Sequence, residues 1–368
     1  MGKSKKSIHL VAAARPNFMK IAPLYLALKD QDWADPKIVH TGQHYDVNMS
    51  EDFFKDLGMP APQVHLGVGS GSHAEQTGHT LIAYEKVLLE QRPDLVVVVG
   101  DVNATVAAAL AAAKLGLKVA HLEAGLRSFD RTMPEEINRV VTDALADLLW
   151  TPSADGDANL AREGVGGQVR RVGNIMIDSL ELMRPQIEKL QPADDLRRIK
   201  EPYGVVTLHR PLNVDDPAKL GLICETLASV SQTMPLIFSV HPRTRKRLED
   251  GGLFDSLANR PGLHLSEPLS YLPFMSLLWR SSVVITDSGG LQEETTYLRI
   301  PCFTLRPNTE RPITIEQGSN RLCTPEELGA LVAESLESPR PEKPLPELWD
   351  GKTAARVVES IKAFLRQN

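Results

Sequence analysis

The stretch LVVVVGDVNATVAAALAAAKLGLKVAHLEA, residues 95–124, decides the fold. It opens with an unbroken apolar run (95–100), turns at Gly100-Asp101, and continues into an alanine-rich segment (103–115) that reads as a helix. A second apolar run, KVAHLEA (118–124), follows. Near-continuous Val/Leu/Ile runs of this length suit strands buried on both faces of a parallel sheet. A strand, a helix and another strand within about thirty residues form a βαβ unit.

The same alternation extends in both directions. Strand candidates IHLVAA (8–13), KIVHTG (37–42) and LLWTP (148–152) flank helix candidates at 18–30, 73–91 and 134–147. The charged passage from Arg184 to Pro202, punctuated by Pro185 and Pro192, leads into a second series. There VVTLH (205–209), LIFSVHP (236–242), LHLSEP (263–268), VVITDSG (283–289) and CFTLR (302–306) read as strands separated by helices. A Pro-rich segment (339–346) precedes a final amphipathic helix at 352–366. The expected architecture is α/β, with two Rossmann-like doubly wound domains. The first is expected over 1–172, with the C-terminal helix (352–368) packing back on it, and the second over 173–351. A length of 368 residues suits two such domains.

The net charge of −6 leaves no overall basic footprint for nucleic acid, so an anionic ligand needs local cations. Three cysteines with no CxxC spacing suggest neither a disulfide framework nor a zinc site, and point to a reducing cytosol. The basic start MGKSKKS leads into an apolar run cut off by Arg15-Pro16, too short for a signal peptide. Lys6 also departs from the myristoylation pattern. With no apolar stretch of spanning length, a cytoplasmic chain with no membrane partner is expected.

In open α/β sheets, ligands bind beyond the carboxyl ends of the strands. The polar residues there are Arg15, Asp101, Glu123, His209, His241 and Asp287-Ser288. Such residues are expensive beside a buried strand unless paired or functional. The first turn, AAARPNFMK (12–20), is not GxGxxG, which argues against a dinucleotide. Arg15 and Lys20 instead bracket a helix start suited to phosphate. Asp101 at a strand end also suits a helix cap. The segment HLEAGLRSFDRTMPEEINR (121–139) adds Glu123, Arg127 and Pro134-Glu135-Glu136, where acids complement a helix dipole. One of the two glutamates therefore has a structural reading. His209 sits in TLHR (207–210). The turn Ser288-Gly289-Gly290 enters a helix whose free N–H groups suit a diphosphate, with Glu294 placed for ribose hydroxyls and Arg311 as a further cation. Scattered histidines and the lack of an aspartate triad give no metal-ligand spacing.

Taken together, ARPNFMKIAPL, TGQH, GDVNAT, HLEAGLRSFDRTMPEEINR, GNIMID, TLHR, YLPF, TDSGGLQEE and TERP, running from residue 14 to 312, closely resemble the non-hydrolysing UDP-N-acetylglucosamine 2-epimerases. That resemblance implies a GT-B type fold with its active site in the interdomain cleft, a UDP-sugar substrate, no cofactor or metal, and a homodimer. It implies Asp101, Glu123, Glu135 and His209 as catalytic residues. Arg15 and Lys20 would face the diphosphate, and Ser288, Gly289, Gly290, Glu294, Phe274 (beside the uracil) and Arg311 would bind UDP. Two departures stand out. Leu212 replaces a glutamate that many members carry two residues after His-Arg. Gln43, Gln76, Glu136, Arg210 and His241 match a regulatory second site of some bacterial members, but Asp46 and Glu75 stand where it has glutamine and arginine. Two acids there predict weakened or absent regulation.

The chemistry follows from the sugar. Its C2 proton is not adjacent to a carbonyl, so the route the resemblance implies is loss of UDP from C1, proton loss from C2 to a glycal, and return of both with C2 inverted. Competing readings are a 2-epimerase of a diacetamido-uronic acid nucleotide, a GT-B glycosyltransferase, a hydrolysing 2-epimerase and a non-catalytic nucleotide-sugar sensor.

Overall fold

The computed structural model describes residues 5–42, 54–191, 196, 199, 201–337 and 343–367. The chain divides into two compact units, Met1–Leu182 with Glu347–Asn368, and Met183–Pro346.

The first unit holds a seven-stranded sheet of β1 (Lys6–Ala12), β2 (Ala34–His40), β3 (Val64–His65), β4 (Leu95–Val99), β5 (Val119–Leu122), β6 (Leu148–Thr151) and β7 (Gln168–Arg171), ordered 3-2-1-4-5-6-7. All pairings are parallel. Leu95 to Val99 are buried throughout, as strands covered on both faces must be. One covering helix is Asn103–Lys114, whose alanines are mostly buried. Small side chains there leave room for the neighbouring helix His73–Gln91 to pack closely.

The second unit repeats the design with β8 (Gly204–Thr207), β9 (Leu236–Ser239), β10 (Leu263–Ser266), β11 (Val283–Thr286), β12 (Cys302–Thr304) and β13 (Asn320–Leu322), ordered 10-9-8-11-12-13. Its pairings are parallel too. Both orders reverse direction at one place, between β1 and β4 and between β8 and β11. Such a switch point opens the crevice in which doubly wound sheets bind ligands.

The structure departs from the sequence reading in three respects. First, β4 and β5 stop short of Gly100 and Glu123, which the apolar runs had included. Both residues have left-handed φ, +68° and +72°, which no strand can continue. Second, β3, β7 and β13 went unseen. Short edge strands lack a two-sided apolar run, and QVRR at β7 leaves even Val169 exposed. Third, Pro185 does not open a linker but lies inside the helix Ile175–Lys189, which straddles the division between the units. An interior proline costs roughly 3 kcal/mol. Met183 and Ile187, fully buried on either side of it, each return about 1.5–3 kcal/mol. The division accordingly falls later than residue 172.

The last helix, Thr353–Gln367, belongs to the first unit. Asp178 accepts the backbone N–H groups of Thr353 (3.0 Å) and Ala354 (2.8 Å), satisfying its first turn. Trp150 donates from Nε1 to Ser360 at 2.9 Å. No helix among the described residues is long and apolar enough to cross a membrane.

Candidate active site

In the first unit the polar groups gather past β1, β4 and β5. The helix Arg15–Lys29 starts immediately after β1, and half-buried Arg15 is its first residue. Asn17 fastens this start. It accepts from the Ala14 N–H at 3.1 Å and donates to the Val99 carbonyl, also at 3.1 Å, tying the helix to the end of β4. One turn on, buried Lys20 forms an ion pair with Glu123 Oε2. The sequence reading places Lys20 toward a diphosphate; in the structure its ammonium meets an acid of the same sheet edge.

Gly100 makes that meeting possible. A Cβ there would lie 3.1 Å from Lys20 Nζ and 3.7 Å from Glu123 Oε2. Glu123 itself is 4 % exposed and sits at φ +72°, a conformation costing about 1–3 kcal/mol for a residue with a side chain. Its Oε1 has no hydrogen-bond partner among the described residues. One carboxylate oxygen is thus held by Lys20 and the other is uncommitted, an arrangement that burial penalises unless a ligand answers it.

Asp101, partly exposed, accepts from Arg139 Nε at 3.0 Å, and Asn138 donates to its backbone carbonyl at 2.9 Å. The adjacent glutamates divide their labour. Glu136 is buried and accepts from Ser128 N (2.9 Å), Ser128 Oγ (3.0 Å), Phe129 N (3.0 Å) and Arg139 Nη1 (2.6 Å). It is the structural member, clamping the Ser128-Phe129 segment. Half-buried Glu135 makes no such bond among the described residues and keeps its carboxylate available.

Of the regulatory set, Gln43 and Asp46 lie outside the described residues. Glu75 has a local role: Ser72 and Glu75 form a reciprocal capping box on the helix His73–Gln91, at 3.2 and 2.8 Å. Those bonds to Ser72 hold its carboxyl below the usual range. The S-x-x-E spacing of Ser72 and Glu75 is itself a sequence signature of this cap. Gln76 accepts from Asn103 at 2.8 Å, and Glu136 is committed as above.

In the second unit, Asp287 directly follows β11, is fully buried and organises the turn after β8. It accepts from His209 N (3.1 Å), Arg210 N (2.9 Å) and Asn213 Nδ2 (3.1 Å), and His209 Nδ1 lies 2.9 Å from its Oδ1. Burial opposes its charge, but His209 and these donors outweigh burial and hold the carboxyl below its usual range. Asp287 is the residue that sequence reasoning underrated. It fixes the His209 ring through Nδ1 and leaves Nε2 as the outward nitrogen. The His241 ring centroid lies 5.6 Å away, and burial together with the His209 charge lowers the pKa of His241.

Ser288 stands at the N-cap position of the helix Gly289–Leu298, with no capping bond from its side chain among the described residues. A Cβ on Gly289 would lie 2.6 Å from Glu310 Oε1 and 2.8 Å from Arg311 Nη1, so this glycine is required by close approach. A Cβ on Gly290 would meet nothing within 4 Å. The protein's own packing therefore does not explain that glycine, whereas a ligand approaching the helix start would. Arg311 is buried among acids, 2.9 Å from Glu293 and ion-paired with Glu310, so much of its charge is already balanced. Glu294 is also buried, and burial pushes its pKa up to about 7, although Tyr271 donates to it at 2.8 Å. Phe274, on the helix Tyr271–Arg280, is half-buried against a cluster including Tyr203 and Leu277.

Comparisons with known proteins agree on one family. A family profile described as UDP-N-acetylglucosamine 2-epimerase matches residues 26–362. The Methanocaldococcus jannaschii UDP-N-acetylglucosamine 2-epimerase is 42 % identical over 364 residues, covering 96 % of this chain and 98 % of that protein. The crystal structure of the enzyme from that organism, in complex with UDP-GlcNAc and UDP, superposes with TM-score 0.87 at 41 % identity, covering 97 % of this chain and 99 % of the other. The Pseudomonas aeruginosa UDP-2,3-diacetamido-2,3-dideoxy-D-glucuronate 2-epimerase is 39 % identical over 324 residues, covering 85 % of this chain and 86 % of that protein.

Proposed function

Because this chain belongs to the UDP-N-acetylglucosamine 2-epimerase family, we propose that it interconverts UDP-N-acetylglucosamine and UDP-N-acetylmannosamine. The C1–O bond breaks first and UDP leaves with the electron pair. Developing positive charge at C1 is met by a carboxylate, and C2 then gives its proton to a carboxylate, forming the C1=C2 double bond of a glycal. A proton delivered to the opposite face of C2, with return of UDP to C1, completes the inversion.

Asp101, Glu123 and Glu135 are the proposed acid, base and charge-stabilising groups, with His209 as a further proton-handling group. Arg15, Ser288, Gly289, Gly290, Glu294, Phe274 and Arg311 are proposed to hold UDP. Lys20 pairs with Glu123 and aims its carboxylate, beside the helix start that carries Arg15. The observation that carries this reading is Glu123, a buried acid in a strained backbone conformation with one oxygen unanswered. Incubation with UDP-N-acetylglucosamine in D2O, followed by proton NMR, tests it. Loss of the C2 proton signal and growth of a manno product are expected. Tight UDP binding without C2 exchange would overturn it.

A second reading, C2 inversion of a UDP-diacetamido-uronic acid, draws on the Pseudomonas relative. Competition between the two substrates in the same exchange assay separates them. A cytosolic homodimer completes the proposal, and light scattering on the purified protein tests the dimer.

A further inference from the structure

His121 lies inside β5, fully buried, two residues before Glu123. Both of its ring nitrogens face acceptors. Nε2 is 2.9 Å from the Gly100 carbonyl oxygen, and Nδ1 is 2.6 Å from Asp143 Oδ1. A carbonyl only accepts, so Nε2 carries a hydrogen. At 2.6 Å the Asp143 contact also requires one, since two bare acceptors repel.

The surrounding charges place that second hydrogen. Asp143 accepts from Gly125 N at 3.1 Å and pairs with Arg127 at 2.8 Å, while Arg127 is also held by Glu163 at 2.6 Å. Asp143 Oδ2 therefore meets two donors, one of them a guanidinium shared with Glu163, which favours the carboxylate and leaves the hydrogen on Nδ1. Beyond Gly100 stand Lys20 and Glu123, already paired with each other.

The Gly100 peptide is consequently pinned by β5 from both sides. Its N–H donates to the Leu122 carbonyl at 3.1 Å, and its own carbonyl takes the His121 hydrogen. Asp101 follows directly, and the Lys20–Glu123 pair packs against the glycine's open side. We propose that His121, carrying hydrogens on both ring nitrogens, is a positioning residue that fixes Gly100 and through it aims Asp101. What the aimed carboxylate does rests on the epimerase reading, whereas the hydrogens on His121 and its hold on Gly100 do not.

The test uses histidine labelled with 15N in the full chain, together with two variants. Both His121 nitrogens should show attached hydrogens in the unaltered protein, with the signals assigned by their loss in His121→Asn. His121→Gln keeps an amide donor where Nε2 stood and preserves the bond to Gly100. His121→Asn keeps a donor only toward Asp143. With both variants folded by their amide spectra, the 13C carboxyl signal of Asp101 should move in the asparagine variant and return in the glutamine variant. In turnover, His121→Asn should lose roughly a hundredfold in kcat, the scale of a small misplacement, with KM nearly unchanged, and His121→Gln should recover much of it. A bare nitrogen on His121, or an Asp101 signal indifferent to both substitutions, would overturn the proposal even if the protein turned over a different substrate. Failure of C2 exchange in the unaltered protein would remove the epimerase reading alone.

Discussion

Lys20 and Glu123, 103 residues apart in sequence, form a buried ion pair at the carboxyl edge of the first sheet. Neither has solvent to fall back on, so losing one partner strands the other. Lys20→Met should destabilise the protein by about 3–5 kcal/mol, the usual result of leaving one buried charge unpaired. The double variant Lys20→Met with Glu123→Gln should regain most of that stability while remaining inactive. Thermal melts and the C2-exchange assay together check this. An active double variant would remove Glu123 from the chemistry.

Glu135 and Glu136 are neighbours with opposite expectations. Glu135→Gln should cost at least about a hundredfold in kcat with an unchanged melting temperature, and Asp101→Asn should cost as much in kcat with some loss of stability, since Arg139 loses one of its two acids. Glu136→Gln removes a charge that holds Arg139 and three donors of Ser128 and Phe129, so about 1–3 kcal/mol of stability should go with it. The same two assays on each variant decide whether the division of labour is correct.

Gly289 and Gly290 differ in the same way. Gly289→Ala forces a methyl group into the Glu310–Arg311 pair and should lower the melting temperature. Gly290→Ala meets only open space and should leave it unchanged. If the free N–H groups of this helix receive the diphosphate, the Gly290 variant should bind UDP about tenfold more weakly, equivalent to one lost charge-assisted hydrogen bond. Calorimetry measures this.

Glu294 supplies a pH prediction. Its folded pKa of about 7 lies above the ordinary carboxyl value, so the folded state binds the proton more tightly than the unfolded state. The stabilising protonated form is fully present below the unfolded pKa and is lost as pH rises through about 7. Glu294→Gln should thus raise stability above neutral pH, by up to roughly 3 kcal/mol, and change it little at acid pH. If the carboxylate accepts ribose hydroxyls, UDP binding by the unaltered protein should strengthen between pH 6 and 8 with release of a proton, and the variant should lose that trend. Melts and calorimetry across that range check both halves.

Apolar runs specify strands directly, so most strands of the two sheets, several helices of the first unit and most residues at the strand ends were legible in the chain. The edge strands β3, β7 and β13 were not, because a strand covered on few sides needs no apolar signature. Glu75 shows the opposite failure: a local capping pattern was present but was overshadowed by its match to a regulatory position. Pro185 reads as a break in one dimension and is absorbed by a helix whose buried face outweighs it.

By itself the sequence determined which residues stand at the carboxyl ends of the strands, since side-chain hydrophobicity and turn chemistry act locally. Only the tertiary structure decided how those residues are spent. Lys20 went to Glu123, Glu136 to a turn, Arg311 to two acids and Asp287 to His209, because burial makes every charge seek whichever partner the fold brings within reach, however distant in the chain.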